Sequence, residues 1–326
     1  MDERLVWIDV SRYQNPEYMH YEVMAEQGQV KGVIAKCSQG MFGQDRRFVG
    51  HLEAGKAAGM WLGAYHWHDP MHDVNRQLSN MREVIRPVVE ELSFLALDVE
   101  QYWADWLEWS ARRVVKIIPG AVISRSAYEL VNLMLAEFAL PVVVYTRRSF
   151  IVSWAPQMST WIGSYPVWLA QYPYTKDQVM TTWEMFYERY TPRMDGPTLP
   201  HGASTWAFWQ FSGDKFRLPG SGGLIDLNYF NGDEKTFEVF CETGSLPVAE
   251  EPVAEEYMTL YRLNLRDAPG VDEKGALKGK IVGKVAMGKR VKIMGYVRQG
   301  ADLWGLVGKD LWLAIRFRSV QLMRAV

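Results

Sequence analysis

Short apolar runs, rich in β-branched and aromatic residues, recur along the first three-quarters of the chain. They are Leu5–Val10, Gly32–Lys36, Trp61–Trp67, Phe94–Val99, Pro141–Tyr145, Val167–Gln171, Trp206–Phe211 and Leu224–Leu227. Their length predicts strands, and their near-continuous apolarity predicts strands covered on both faces. Between the early runs the pattern becomes helical: Asp45–Ala58, ending at Gly59; Asp73–Arg86, stopped by Pro87; and Ser126–Phe138, where Ser126 and Glu129 have capping-box spacing. Strands alternating with helices predict parallel βα units, hence an α/β fold. Eight strands in roughly 240 residues fit a β/α barrel, irregular towards its end because the last strands leave little room for full helices. An open doubly wound sheet is the competing architecture. No Gly-rich phosphate loop follows Leu5–Val10, which counts against its nucleotide-binding form.

The pattern changes after residue 243. Pro247-Val248-Ala249-Glu250-Glu251 is repeated at once as Pro252-Val253-Ala254-Glu255-Glu256, with prolines and four glutamates that favour an extended, solvated chain. Beyond it lie only short strand patterns, Leu263–Arg266, Gly279–Val285, Arg290–Val297, Trp304–Val307 and Trp312–Ala314, broken by Pro269-Gly270, Met287-Gly288 and Gln299-Gly300. The expected organisation is a large domain over 1–243, a Pro/Ala/Glu linker over 244–256 and a small all-β barrel over 257–326.

Charge separates the two domains further. Residues 257–326 hold 14 Lys and Arg against 5 Asp and Glu, a net +9, which leaves −11 for the rest of a chain whose total is −2. A basic module tethered to an acidic one predicts salt-sensitive attraction to a polyanion. The two cysteines, Cys37 and Cys241, have no spacing that suggests zinc or redox chemistry, and no metal or cofactor is expected. No apolar run reaches the roughly 18 residues of a membrane span, so no membrane insertion is expected.

Acidic residues fall at the predicted ends of apolar strands: Asp9, the pair Asp98 and Glu100, and Asp226. Side chains alternate along a strand, so Asp98 and Glu100 point to one face. Two adjacent carboxyls cannot both ionise easily, so one stays protonated near neutral pH. Glycosidic cleavage needs that acid and a partner anion. Glu100, with the longer side chain, is the expected donor. Tyr65, His66, Tyr145, Trp168 and Trp209 are candidates for substrate contact, since sugar rings stack on aromatic faces and hydrogen-bond through their hydroxyls. A rival chemistry starts from His66 and His68, which could ligate a metal with Asp69, His72 or Asp73 nearby, as in a metal-dependent amino-sugar deacetylase or amidase. A second rival is a glycan-binding protein without catalysis; four strand-end acids argue against it.

The segments Ile8-Asp9-Val10-Ser11-Arg12-Tyr13-Gln14, Ala35-Lys36-Cys37-Ser38-Gln39-Gly40, Gly63-Ala64-Tyr65-His66, Leu97-Asp98-Val99-Glu100, Trp168-Leu169-Ala170-Gln171-Tyr172, Trp209-Gln210-Phe211-Ser212 and Ile225-Asp226-Leu227-Asn228 together resemble glycoside hydrolase family 25. The resemblance implies an irregular, flattened β/α barrel of five βα units plus extra strands, and a muramidase that cuts the β-1,4 bond between N-acetylmuramic acid and N-acetylglucosamine. It implies Glu100 as proton donor, Asp98 as its partner, Asp9 and Asp226 as further cleft aspartates, and places Tyr65 and Gln171 in cleft-lining motifs. Cys37 and the aromatic stretch around Tyr102, Trp103, Trp106 and Trp109 depart from the family pattern. The small domain resembles bacterial SH3-like modules through Leu263-Asn264-Leu265-Arg266-Asp267-Ala268-Pro269-Gly270, Trp304 and Trp312, which implies docking on peptidoglycan or its peptide bridges. A nucleic acid would satisfy the charge alone, but no nucleic-acid motif is present, so bacterial peptidoglycan is the expected partner. The N-terminus has no signal-peptide pattern. A phage endolysin, made in the host cytoplasm and acting on the wall after release, is therefore expected, with secretion after leader removal as the alternative.

Overall fold

The computed structural model describes residues 4–113, 115–174, 196–246, 256–271, 277–299, 302–317 and 320–325. All of the Pro/Ala/Glu repeat but its last residue lies outside them; Glu256, placed in the linker by the sequence reading, instead begins a strand. The chain divides into two compact units, Met1–Pro247 and Val248–Val326.

In the first unit all eight apolar runs form strands of one closed sheet. Five βα units come first: β1 (Leu5–Val10) with α1 (Tyr21–Glu26); β2 (Val30–Gln39), whose end pairs with the short β3 (Gly43–Gln44), with α2 (Phe48–Ala57); β4 (Trp61–Trp67) with α3 (Val74–Ile85); β5 (Phe94–Asp98) with α4 (Trp106–Ser110) and α5 (Gly120–Phe138); and β6 (Val142–Thr146) with α6 (Arg148–Trp154). Then follow β7 (Val167–Ala170), β8 (Phe208–Phe216), β9 (Ile225–Phe230) and α7 (Glu234–Thr243). Neighbours from β1 through β2 and β4 to β8 run parallel, whereas β9 is antiparallel to both β8 and β1 and closes the ring.

Alternation along the strands sorts their side chains into two layers. Inside the ring, Trp7, Phe94, Phe208 and Phe230 fill one end, and Phe237 and Phe240 of α7 plug it. Two strand glycines make room there. A Cβ on Gly32 would stand 2.2 Å from the Trp7 ring, and one on Gly63 would stand 2.7 Å from the Phe94 ring. The outward positions Val33, Leu62, Leu95, Val144 and Leu169 form a second core under the helices.

Two helix starts differ from those predicted. Asp45 does not begin α2. Its carboxylate accepts from the backbone N–H of Arg12 at 2.7 Å and of Arg47 at 3.0 Å, pinning the loop after β1 to the helix that starts at Phe48. Ser126 is no cap either, because α5 begins six residues earlier at Gly120. Its hydroxyl meets His68 Nε2 at 2.9 Å instead, while Ser124 accepts from the Trp161 indole at 2.9 Å. Asp73 does cap α3, accepting from Arg76 N–H at 3.0 Å.

The second unit is all β among its described residues. The strands β10 (Glu256–Thr259), β13 (Arg290–Lys292) and β18 (Met323–Ala325) form one sheet. The other holds β11 (Leu263–Arg266), β12 (Ile281–Val285), β14 (Gly295–Gln299), β15 (Asp302–Gly308), β16 (Leu311–Phe317) and β17 (Val320–Gln321). The single strand predicted over Arg290–Val297 is interrupted after Lys292, and its halves join different sheets. Ile293 drops into a core with Tyr257, Leu263, Leu303, Leu313, Ile315 and Met323.

Candidate active site

The apolar plug leaves the opposite end of the ring to polar side chains, and a cleft of about 190 Å³ opens there. Asp9, Asp98, Glu100 and Asp226 all line it, with Tyr65, Tyr145 and Trp168. Parallel β1 and β5 deliver Asp9 and Asp98 at their ends, and Glu100 follows two residues on. Asp226 arrives differently from the sequence expectation. Because β9 runs backwards, Asp226 stands at its beginning, directly opposite Asp9 in the antiparallel register.

Asp9 is held by two side-chain amides. Its Oδ2 accepts from Gln210 Nε2 at 3.0 Å and Asn228 Nδ2 at 2.8 Å. Burial pushes its carboxyl up to about 6, against the partial relief of those two donors. Asp226 accepts from the backbone N–H of Asp214 at 2.6 Å, and burial together with the charges of Asp9 and Asp214 raises it well above the usual carboxylate range. The two aspartates, opposite one another in the ladder, are both raised and so hold a proton between them.

Across the cleft, Asp98 and Glu100 form the second pair. Burial raises both, and the Glu100 charge lifts Asp98 further. Arg147 Nη2, 3.3 Å from Glu100 Oε2, pulls Glu100 back down, as does Lys36. Asp98 is 5% exposed, and its buried Oδ1 has no hydrogen-bond partner among the described residues. The Glu100 side chain is 21% exposed and open to the cleft. Lys36 lies over the Trp67 ring at 4.2 Å, and burial lowers its pKa despite the nearby acids.

The aromatic wall is bonded in place. Tyr145 and Tyr172 both donate to Gln210 Oε1, at 3.0 and 2.9 Å, and the Trp168 indole donates to Asn228 Oδ1 at 2.8 Å. Since Gln210 and Asn228 also hold Asp9, wall and carboxylate share one network.

Three candidates lie outside the cleft, and strand parity is the reason. Tyr65 and Trp67 face inward, so His66 between them faces outward, with its nitrogens 2.8 Å from Ser38 Oγ and 3.2 Å from Gln77 Oε1. Trp209, flanked by inward Phe208 and Gln210, packs in the outer core and donates to the Gln171 carbonyl at 2.7 Å. The Gln171 side chain accepts from Thr198 N–H at 2.8 Å, outside the cleft lining.

The histidine pair does not converge on a common point either. His68 binds Ser126 of α5 and His66 binds Gln77 of α3, and burial lowers their pKa values to about 3 and about 4. Among the described residues no three His, Cys, Asp or Glu side chains gather as a metal set.

The sequence reading missed Lys36, Gln210 and Asp214 in the cleft lining, and Asn228 as a holder of Asp9. For Lys36, Gln210 and Asn228 the signal was parity, since each lies two positions from an inward residue of its strand; Asp214 follows a bulge of β8 that breaks the alternation.

The model of glycosyl hydrolases family 25 matches residues 8–220, which includes Asp9, Asp98 and Glu100. The chain belongs to glycosyl hydrolase family 25. It is thus a glycoside hydrolase by descent as well as by the acids in its cleft. No curated protein matches it by sequence. Among solved structures, the bacterial lysozyme of Streptomyces coelicolor is 19% identical with a TM-score of 0.56, over 74% of this chain and 98% of that one. The family 25 lysozyme of Aspergillus fumigatus is 17% identical with a TM-score of 0.54, over 73% and 99%. The CTP1L endolysin is 21% identical with a TM-score of 0.52, over 73% of this chain and 69% of its own. These likenesses establish that the family barrel is shared.

Proposed function

We propose that this family 25 chain is an N-acetylmuramidase that hydrolyses the β-1,4 bond between N-acetylmuramic acid and N-acetylglucosamine in peptidoglycan. The observation that carries the reading is the convergence of Asp9, Asp98, Glu100 and Asp226 on one aromatic-walled cleft of a family 25 barrel. Glu100 protonates the leaving oxygen, because it is the more exposed of its pair towards the cleft. Asp98, as an anion beside it, stabilises the oxocarbenium-like transition state. Asp9 and Asp226, already joined through one proton, position the reacting sugar or its attacking oxygen. Tyr65, Tyr145 and Trp168 supply the stacking and hydrogen-bonding wall.

The decisive experiment is digestion of purified peptidoglycan and identification of the new reducing end. N-acetylmuramic acid is the expected result. N-acetylglucosamine would make the enzyme a glucosaminidase, and free amines an amidase. Glu100→Gln should cut turnover by about 10² to 10⁴ while leaving wall binding intact, and full lysis by that variant would remove Glu100 from the donor role.

We assign catalysis to residues 1–243 and attachment to residues 257–326, an SH3-like module that holds the enzyme on an anionic wall polymer or peptide bridge. Support comes from its +9 charge and from the exposed Lys278, Lys280, Lys284, Lys289, Arg290 and Lys292 beside exposed Ile281, Val282, Met287 and Tyr296. Tethering raises the local concentration of substrate without a new catalytic contact. The architecture suits a phage endolysin that acts on the wall. No helix among the described residues is long and apolar enough to cross a membrane.

A further inference from the structure

Between Glu100 and α5 the chain makes an excursion whose two sides meet at a Trp103–Ile117 bridge. Ala104 N–H donates to the Lys116 carbonyl at 2.8 Å and Ile118 N–H to that of Tyr102 at 2.9 Å, so the base of the excursion is fixed. Its outer part is α4, started by the Asp105 side chain, which accepts from Leu107 N–H at 2.8 Å and Glu108 N–H at 3.1 Å. Trp67, on the cleft wall, meets Trp103 edge-on at 6.4 Å. Trp103 stacks on Trp109 at 4.2 Å, and Trp109 meets Trp106 at 4.9 Å. Trp103 is buried, but Trp106 is 53% exposed and Leu107 76%. Aromatic surface therefore climbs out of the cleft into solvent.

We infer that the ridge of Trp103, Trp109 and Trp106 is a distal glycan subsite that takes sugars of the same strand beyond those in the cleft. The inference rests on the muramidase reading for the identity of the strand. The cleft, at about 190 Å³, has room for little more than one hexose ring, so a polymer must cross its rim. The ridge begins at the cleft-wall residue Trp67 and on the segment that follows Glu100 directly, which places it beside the proton donor. Indole faces stack on the C–H faces of pyranose rings, and an exposed indole already held by a neighbouring stack loses little freedom on binding. Arg112, Arg113 and Lys116 are exposed on the same excursion and offer cations to the lactyl carboxylates of peptide-free muramic acid units, such as those of the stripped strands below. A core function does not account for Trp106, whose face is left in water.

The test compares full-length wild type, Trp106→Ala and Trp106→Phe on two substrates: glycan strands stripped of peptide, at least eight sugars long, and the tetrasaccharide. Trp106→Ala should lower kcat/KM about fivefold on strands and less than twofold on the tetrasaccharide, with Trp106→Phe restoring most of the loss. Equal loss on both substrates, or no loss on either, overturns the subsite. Strand binding is also titrated in a Glu100→Gln background, with and without Trp106→Ala. Weaker binding caused by Trp106→Ala supports the subsite, and unchanged binding overturns it. If wild type releases no N-acetylmuramic acid reducing ends, the muramidase reading fails, while this titration still judges the ridge. Loss of partitioning to phosphatidylglycerol vesicles, with unchanged strand kinetics, would assign the ridge to a membrane surface and overturn the proposal.

Discussion

Two carboxyl pairs face each other across the cleft, and each is biased by a different neighbour. Burial raises Glu100, and the cations of Arg147 and Lys36 pull it back down. The Arg147 side chain is 47% exposed, so it can be changed without opening the core. Arg147→Gln removes a charge that favours ionised Glu100, and the pKa of Glu100 must rise. The alkaline limb of the pH profile of kcat/KM is expected to move to higher pH, and a downward shift would contradict the assignment. Asp9 yields a stability prediction. Its folded pKa of about 6 exceeds the ordinary 3.8, so the folded state binds more protons between those values and stability falls as pH rises through that window. Asp9→Asn keeps an acceptor for Gln210 and Asn228 and abolishes the titration. Unfolding at pH 7.5 should then show a gain on the order of 2–3 kcal/mol, vanishing by about pH 4, together with loss of activity. The buried histidines act with opposite sign: His66 and His68 have folded values of about 4 and about 3, so their neutral forms lose stability as pH falls below 6.5. At this scale the acids were legible because a carboxylate at the end of an apolar run is costly and has few structural uses. The partners were not, because Gln210, Asn228 and Lys36 look ordinary until inward parity is fixed.

Among the elements, the eight strands were readable because a ring covered on both faces demands continuous apolar runs. Direction was not readable. Nothing in Ile225-Asp226-Leu227-Asn228 says that β9 runs antiparallel, and that reversal is what sets Asp226 opposite Asp9. Helix starts misled for a related reason: Ser126 looks like a cap, but its hydroxyl is used by His68 from a distant segment. The glycines of β2 and β4 were legible only as interruptions, though they decide how the ring is filled. Gly32→Ala brings a methyl to 2.2 Å from a Trp7 ring that is itself packed on Trp61, Phe94, Phe208 and Phe237. Overpacking of this kind should cost about 1–3 kcal/mol in urea or thermal unfolding, without changing the pH profile of activity. A neutral result would mean that the aromatic plug yields more readily than its ring contacts suggest.

Across the whole molecule, the division of charge separates recognition from chemistry. In the function proposed above, the +9 unit is drawn to a polyanionic wall by long-range attraction, whereas the cleft works on a sugar bond at short range. Raising NaCl from about 50 mM to about 500 mM should weaken wall binding by roughly tenfold or more and leave hydrolysis of soluble oligosaccharides nearly unchanged. Parallel loss of both would show that the basic unit is not the anchor. The two-part organisation was legible from the repeat and the charge; the pairing of β10 with β13 and β18 was not, since it joins short segments distant in sequence.

The closing of the ring by β9 has a temporal consequence. Asp9 and the residues that hold it, Gln210 and Asn228, lie about two hundred positions apart, and the seam between β1 and β9 is the last to become available to a growing chain. A ribosome must deliver nearly the whole first unit before the four acids can meet. Every nascent chain or premature termination product that stops before β9 lacks Asp226 and Asn228, and with them a complete cleft.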